Sequence, residues 1–326
     1  MTTPLGAMGH QGYLSMVKEV TWGTDPGAGY TSQKVNQEAL KTKVNYLFEK
    51  PISNTRQITT QKVAGGISAG GTISFDADVE GILGMILKSL LSSETYLSLG
   101  SGNGGSHIFL PGNDLPSYSL LVSRDSAVTG NVWSYKGGVF DALSLSAAEG
   151  QLLKAQATLV SKDGTSGATG ITPSYTTEEP LVYHSGTFKV AGTTVPMKSF
   201  KVDIKSGNFS KRGQLGSRYI QQQLAGGMEV TGEIEAYFQD LTLVNDYING
   251  TDASIEATFT GSVIGTTTRK VDILIPIAQF TGETPSIPSA AQEVMLKLPF
   301  TAWLPGTGSP NDLVQVTLFN SLQAAY

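Results

Sequence analysis

Val63-Ala64-Gly65-Gly66-Ile67-Ser68-Ala69-Gly70-Gly71-Thr72-Ile73-Ser74-Phe75-Asp76 is the stretch on which the fold turns. From Ile67 the odd positions carry Ile67, Ala69, Gly71, Ile73, Phe75 and Ala77. The even positions carry Ser68, Gly70, Thr72, Ser74, Asp76 and Asp78. Successive side chains of a strand point to opposite faces, so this alternation predicts a strand with one buried and one polar face. About twelve residues stay in phase, long against the usual five or six.

The stretch then returns as Leu224-Ala225-Gly226-Gly227-Met228, running to Gly232-Glu233-Ile234. Each anchor recurs 161 positions on: Ala64 at Ala225, Gly71 at Gly232 and Ile73 at Ile234. In the second copy Met228, Val230, Gly232, Ile234, Ala236 and Phe238 share one face. Glu229, Thr231, Glu233, Glu235, Tyr237 and Gln239 share the other. A slip of one residue would exchange the faces, so the preserved phase points to a duplicated unit. The expected organisation is one unit over 1–165, a polar linker over 166–180 and a second unit over 181–326.

An amphipathic helix is expected after each strand. Val79, Ile82, Leu83, Ile86, Leu87 and Leu90 recur at three- and four-residue spacing. Leu241, Val244, Tyr247 and Ile248 do the same, and Asn249-Gly250 fits the end of a helix. Both stripes are expected to pack on the apolar faces of their own sheets. Further strands are predicted over 117–124, 132–135, 140–147 and 151–160, with a turn at Glu149-Gly150. In the second unit they fall over 254–260, 269–275, 278–281, 292–303 and 314–319. Strands, one helix and more strands per unit predict a mainly β protein of two tandem sandwich or half-barrel units.

Composition agrees with that class and excludes others. Hydrophobic residues make up 40% of the 326 positions and charged residues only 15%, while glycine numbers 38. Abundant Gly, Ser and Thr suit a chain of strands and turns. The net charge is −5 with no basic cluster, whereas a protein that grips nucleic acid needs clustered Lys and Arg. There is no cysteine, hence no disulfide framework and no thiolate metal site. The first ten residues lack a charged head followed by an apolar run, so no secretory leader is expected. The most apolar stretch, 79–91, is too short to span a bilayer. A soluble protein made in the cytoplasm is expected.

Chemistry-bearing patterns are missing. His10, His107 and His184 stand far apart and are expected as surface histidines. No Gly-x-Ser-x-Gly elbow occurs, and Gly102-Asn103-Gly104-Gly105 lacks the Lys-Ser/Thr of a phosphate loop, so it reads as a turn. Asp76 with Asp78, or Glu233 with Glu235, could be set as an acid/base pair for glycoside cleavage. A solvated polar strand face is the simpler reading. No cofactor and no metal site are expected.

Several segments in order carry a resemblance. They are Gly12-Tyr13-Leu14-Ser15-Met16-Val17-Lys18-Glu19-Val20-Thr21-Trp22-Gly23-Thr24, the Gly-Gly strand with its helix, and Leu115-Pro116-Ser117-Tyr118-Ser119-Leu120. The hairpin of 140–159, the strand of 229–238 and its helix, Pro299-Phe300-Thr301-Ala302 and Val314-Gln315-Val316-Thr317-Leu318 complete them. Together they resemble the tail tube (major tail) proteins of long-tailed bacteriophages, of the non-contractile, siphovirus type. Val20 interrupts the Glu-Thr pair of that family's opening.

The resemblance implies a structural virion protein and not an enzyme. It implies rings stacked into a tail, with inner sheets joined into one β-barrel around a channel that conducts DNA. Six single-domain chains, or three fused ones, make such a ring. The partners it implies are other copies of the chain, the tape measure protein, the tail terminator and the distal tail proteins. DNA passes without specific binding, no membrane is entered, and assembly takes place in the host cytoplasm. On this reading Ser68, Thr72, Ser74, Asp76, Glu229, Thr231, Glu233 and Glu235 face a neutral-to-acidic lumen. The polar segment of 23–43, with Asp25, Tyr30 and Lys34, is either a plain loop or an arm that orders against the next ring. The competing class is a soluble carbohydrate- or ligand-binding β-sandwich. It would call for an aromatic platform, and Trp22, Trp133 and Trp303 sit in separate segments.

Overall fold

A computed structural model describes residues 8–52, 54–125, 130–207, 213–282, 284–285, 293–305 and 312–326. The first half holds β1 (Tyr13–Lys18), β2 (Thr31–Gln33), β3 (Gln37–Glu38), β4 (Lys41–Glu49) and β5 (Gln61–Asp76). Helix α1 (Leu83–Leu91) follows, then β6 (Ser92–Ser98) and β7 (Gly105–Pro111). The half ends with β8 (Tyr118–Ser123), β9 (Val132–Ala148), β10 (Lys154–Ser161) and β11 (Asp163–Ser166). The second half holds β12 (Gly186–Val190), β13 (Thr193–Thr194), β14 (Met197–Lys205), β15 (Glu229–Tyr237) and α2 (Thr242–Asn249). It closes with β16 (Ala253–Ile264), β17 (Thr267–Phe280), β18 (Met295–Ala302) and β19 (Gln315–Asn320).

The protein is mainly β, and every described strand pair is antiparallel. One layer, labelled the inner layer, runs in the order β4-β5-β10-β9-β14-β15-β18 and passes from the first half into the second through the β9–β14 pair. A second, outer layer packs on it: β2-β1-β8-β9-β11 from the first half, and β13-β12-β16-β17-β19 from the second half, extended through the β19–β7 pair by β7-β6 of the first.

β9 belongs to both layers. Its first part pairs with β8 and β11, and its second with β10 and β14. The change falls at Gly137, whose φ of 61° is open to glycine and strained for other residues. Two strands expected over 132–135 and 140–147 are therefore one bent strand, and those over 269–275 and 278–281 are likewise one, β17. Alternation reads a bend as a gap. The expected start at Gln292 lies outside the described residues.

Between the layers lies a continuous apolar core. One row crosses the inner sheet as Phe75, Ala155, Leu145 and Val202, ending under Phe300, all buried. Ile73, Ala157, Leu143, Ile204 and Val230 form the next row. Arg269 of β17 places its Nε 2.6 Å from Glu80 and its Nη2 3.4 Å from Glu178, joining a first-half turn, the 166–180 segment and the second half.

The helices differ from each other. Helix α1 begins at Leu83, later than its stripe, yet Val79, Ile82, Leu83, Ile86, Leu87 and Leu90 are all buried. Helix α2 buries Val244 and half-covers Tyr247, but Leu241 and Ile248 remain 58% and 60% exposed, against the expected packing. The reason is architectural. The β6–β7 hairpin that flanks α1 has no counterpart after α2, where Gly250 in the left-handed region leads straight to β16. No described helix is long and apolar enough to cross a membrane.

Two local expectations are corrected, and the 23–43 segment is seen in the single chain. His107 is buried in β7, with Nδ1 2.9 Å from a carboxylate oxygen of Glu94, and is no surface histidine. Asp78 lies past the end of β5 and is buried, accepting from Gln33 Nε2 at 3.0 Å, so it does not share a face with Asp76. The segment of 23–43 is ordered on its own chain. β2 pairs with β1, Leu40 is buried, and Asp25 accepts from Gly27 N at 2.8 Å and from the Tyr30 hydroxyl. Lys34 is exposed beside buried Gln33.

A candidate channel face

The polar face of the inner layer is set by strand register, because residues directly opposite each other across a pair share a face. Asp76 stands opposite Lys154, Lys154 opposite Ser146, Ser146 opposite Lys201, Lys201 opposite Glu233 and Glu233 opposite Pro299. The neighbouring row runs Ser74, Gln156, Ser144, Asp203, Thr231 and Thr301. Thr72, Thr158, Ala142, Lys205 and Glu229 make a third. Ser68, opposite Lys43 on β4, extends the face toward the open edge. Ser68, Thr72, Ser74, Asp76, Glu229, Thr231, Glu233 and Glu235 thus occupy one polar surface that spans both halves, none of them buried.

That surface is close to neutral. The carboxylates Asp76, Asp203, Glu229, Glu233 and Glu235 are interleaved with Lys41, Lys43, Lys154, Lys201, Lys205 and Lys297. Lys297 Nζ lies 3.0 Å from Glu233, Lys201 Nζ 2.7 Å from Asp203 and Lys205 Nζ 3.8 Å from Glu229. Ser199 Oγ donates to Glu235 at 3.3 Å. The acids of this face are answered by lysines on their own or adjacent strands, at the neutral end of the neutral-to-acidic range expected. β14, the strand that carries Ser199, Lys201 and Lys205, was not among the predicted strands. Its own alternation, apolar Phe200, Val202 and Ile204 against Lys201, Asp203 and Lys205, is the signal that could have found it.

The motif before β2 has a structural role. Glu19, buried beneath the outer sheet, accepts from Ser119 Oγ (2.6 Å) and Gly137 N (2.8 Å) on one oxygen. On the other it accepts from Ser117 Oγ (2.6 Å) and Gly23 N (2.7 Å). Its carboxylate therefore fixes the bend of β9, while Lys162 Nζ sits 4.9 Å from the Trp22 ring centroid next to that bend.

Among the described residues no group of three or more His, Cys, Asp or Glu side chains could hold a metal ion. The molecule offers a polar, charge-balanced face on a large antiparallel sheet. A family model described as phage tail tube protein matches residues 9–302, and the chain belongs to that family. It is thus a component of the phage virion tail, of a family that assembles with itself into tubes and is generally non-enzymatic. No curated protein matches the chain.

Proposed function

We propose that three copies of this chain close into a pseudo-hexameric ring, that rings stack into a siphovirus-type tail tube, and that the inner-layer face lines the channel through which DNA leaves. The supporting observation is the β9–β14 pair. It joins the first unit (1–165) to the second (181–326) edge to edge in one sheet, with the 166–180 segment between them in sequence. Repeating that join from chain to chain generates a closed barrel and removes the free edges that otherwise invite uncontrolled pairing.

A charge-balanced lining suits transport. A basic lining would exchange counterions with the phosphates and retain the DNA. A face on which Lys201, Lys205 and Lys297 already have carboxylate partners leaves the polyanion mobile. Tape measure, terminator and distal tail proteins complete the tail on this reading, which is assembled in the host cytoplasm. Electron microscopy and native mass measurement of the concentrated purified protein test it. Rings of three chains are expected; a hexamer of chains, or a persistent monomer, overturns it.

A further inference from the structure

We propose that the free end of the β4–β5 hairpin seats on the second half of a neighbouring copy of this chain, against Trp303 and Leu304. The proposal rests on the ring reading above and names the contact that would lock neighbouring copies together.

Three observations converge on it. First, β5 pairs with β10 only as far as Ala69; beyond that point its one strand partner is β4, and past the Arg218 contacts at Ile67 and Gly65 the β4–β5 ribbon runs on alone. On this projecting ribbon Tyr46, Leu47, Phe48 and Val63 are 46–59% exposed. A two-stranded ribbon is marginally stable in water by itself, and large apolar side chains exposed on both faces of one mark a contact surface.

Second, the described part of the corresponding connection in the second half is tied down. Between β14 and β15, residues 213–228 lie over the rim of the first half. Ile67 N donates to Arg218 O at 2.8 Å, and Arg218 Nε donates to Gly65 O at 2.8 Å. Gln223 Nε2 donates to Val160 O at 2.7 Å and to Gly137 O at 3.2 Å. The molecule therefore already contains one example of a β-β connection from one unit laid across the rim of the unit beside it.

Third, the two rims differ in the way their occupants differ. In the first half Lys162 N donates to Lys136 O; the same closing bond in the second half runs from Trp303 N to Ile277 O. Lysines stand where the polar Arg218–Gln223 segment crosses, and Trp303 and Ile277 stand at the equivalent place. Trp303 and the following Leu304 are 41% and 39% exposed, with the indole N–H held by Asp252 at 2.9 Å. An uncovered apolar ribbon and an uncovered apolar rim lie on opposite units of one chain. They meet when the join between units is repeated between chains.

The test uses assembled full-length protein with Phe48 replaced by the photoreactive p-benzoylphenylalanine, prepared from a mixture of isotopically light and heavy chains. Irradiation is expected to link position 48 to the peptide bearing Trp303 and Leu304 of the other chain. Linkage to any other peptide, or none within assembled rings, overturns the proposal while leaving the ring reading intact. Wild-type protein that never leaves the monomer overturns both. A second measurement bears on the same point. Leu47→Ser with Phe48→Ser, or Trp303→Ser with Leu304→Ser, should each raise the concentration needed for assembly about tenfold or more, given the apolar area removed. The monomer's circular dichroism should not change, because these side chains are exposed in it. An unaltered assembly concentration counts against the proposal.

Discussion

Lys297 and Glu233 meet across the β15–β18 pair with 3.0 Å between ammonium and carboxylate, on a face where every carboxylate has a lysine on its own or an adjacent strand. Replacing Glu229, Glu233 and Glu235 together with Lys removes that balance. Lys205 and Lys297 would then face further lysines. Exposed pairs of this kind contribute about 0–1 kcal/mol each, so tubes should still assemble. DNA passage should slow, and added salt should relieve the slowing as counterion release predicts. Ejection kinetics of phage carrying the triple variant check this, and an unchanged rate in assembled tubes counts against a channel-lining face.

Gly71 and Gly232, equivalent positions of the repeat, have the same physical cause. A Cβ on Gly71 would sit 2.2 Å from Ala39 O, and one on Gly232 would sit 2.3 Å from Lys201 O and from the Phe300 ring. Ala39 and Lys201 belong to the equivalent neighbouring stretches of the two halves. Gly71 also has a φ of 151°. Gly71→Ala and Gly232→Ala should each cost about 3 kcal/mol, since backbone has to move to admit the methyl. Urea denaturation of each variant measures it. A loss below about 0.5 kcal/mol at both would contradict the close approach.

The strand pair and its faces were legible because period two survives folding wherever one side of a sheet is buried, as Ile73, Phe75, Ile234 and Ala236 are. The helices were legible as elements, but the depth of Leu241 and Ile248 was not. Burial depends on what lies over a helix, and the β6–β7 hairpin that covers α1 carries no local mark of its destination. The pairing of charges on the candidate face is hidden for a related reason. Glu229, Glu233 and Glu235 are adjacent in sequence, whereas their lysine partners arrive through strand pairing from β14 and β18. Position along the chain showed the acids and hid their neighbours.

Glu94 and Asp78 make the acid response of the protein a sum of two opposite contributions. Burial of Glu94 works to raise its pKa, but the hydrogen bond with His107, the Tyr326 amide and the Lys88 ammonium outweigh it and hold the carboxyl below its ordinary value. A depressed carboxyl adds stability above about pH 4.3 that is lost as the pH falls through the folded-state value. Asp78 is pushed up by burial in spite of hydrogen bonds from Gln33, Gly81 and Glu80. Its folded form holds the proton more readily, so its contribution favours the fold at low pH and declines as the pH rises through its window. Glu94→Gln should therefore flatten the fall in Tm between about pH 5 and 3, while Asp78→Asn should steepen it. Thermal unfolding across that range checks both signs, and parallel curves for the two variants would refute the assignment.

Glu19 is the residue whose loss should hurt the fold most for its size. Its two oxygens accept four hydrogen bonds from Ser117, Ser119, Gly23 and Gly137, and the last of these sits where β9 leaves the outer layer for the inner. In Glu19→Ala the buried Gly137 and Gly23 amides and both hydroxyls lose their acceptor. Unpaired buried donors cost about 1–3 kcal/mol each, partly recovered if water enters. A net loss of about 3–5 kcal/mol is expected. Glu19→Gln keeps the shape but offers only one acceptor oxygen, turning the other position into a donor facing donors, so it should rescue little. The two variants together separate volume from hydrogen bonding. If Glu19→Gln retained wild-type stability in urea denaturation, packing around the side chain would be what holds the bend. Near-equal loss in both variants would assign that role to the carboxylate.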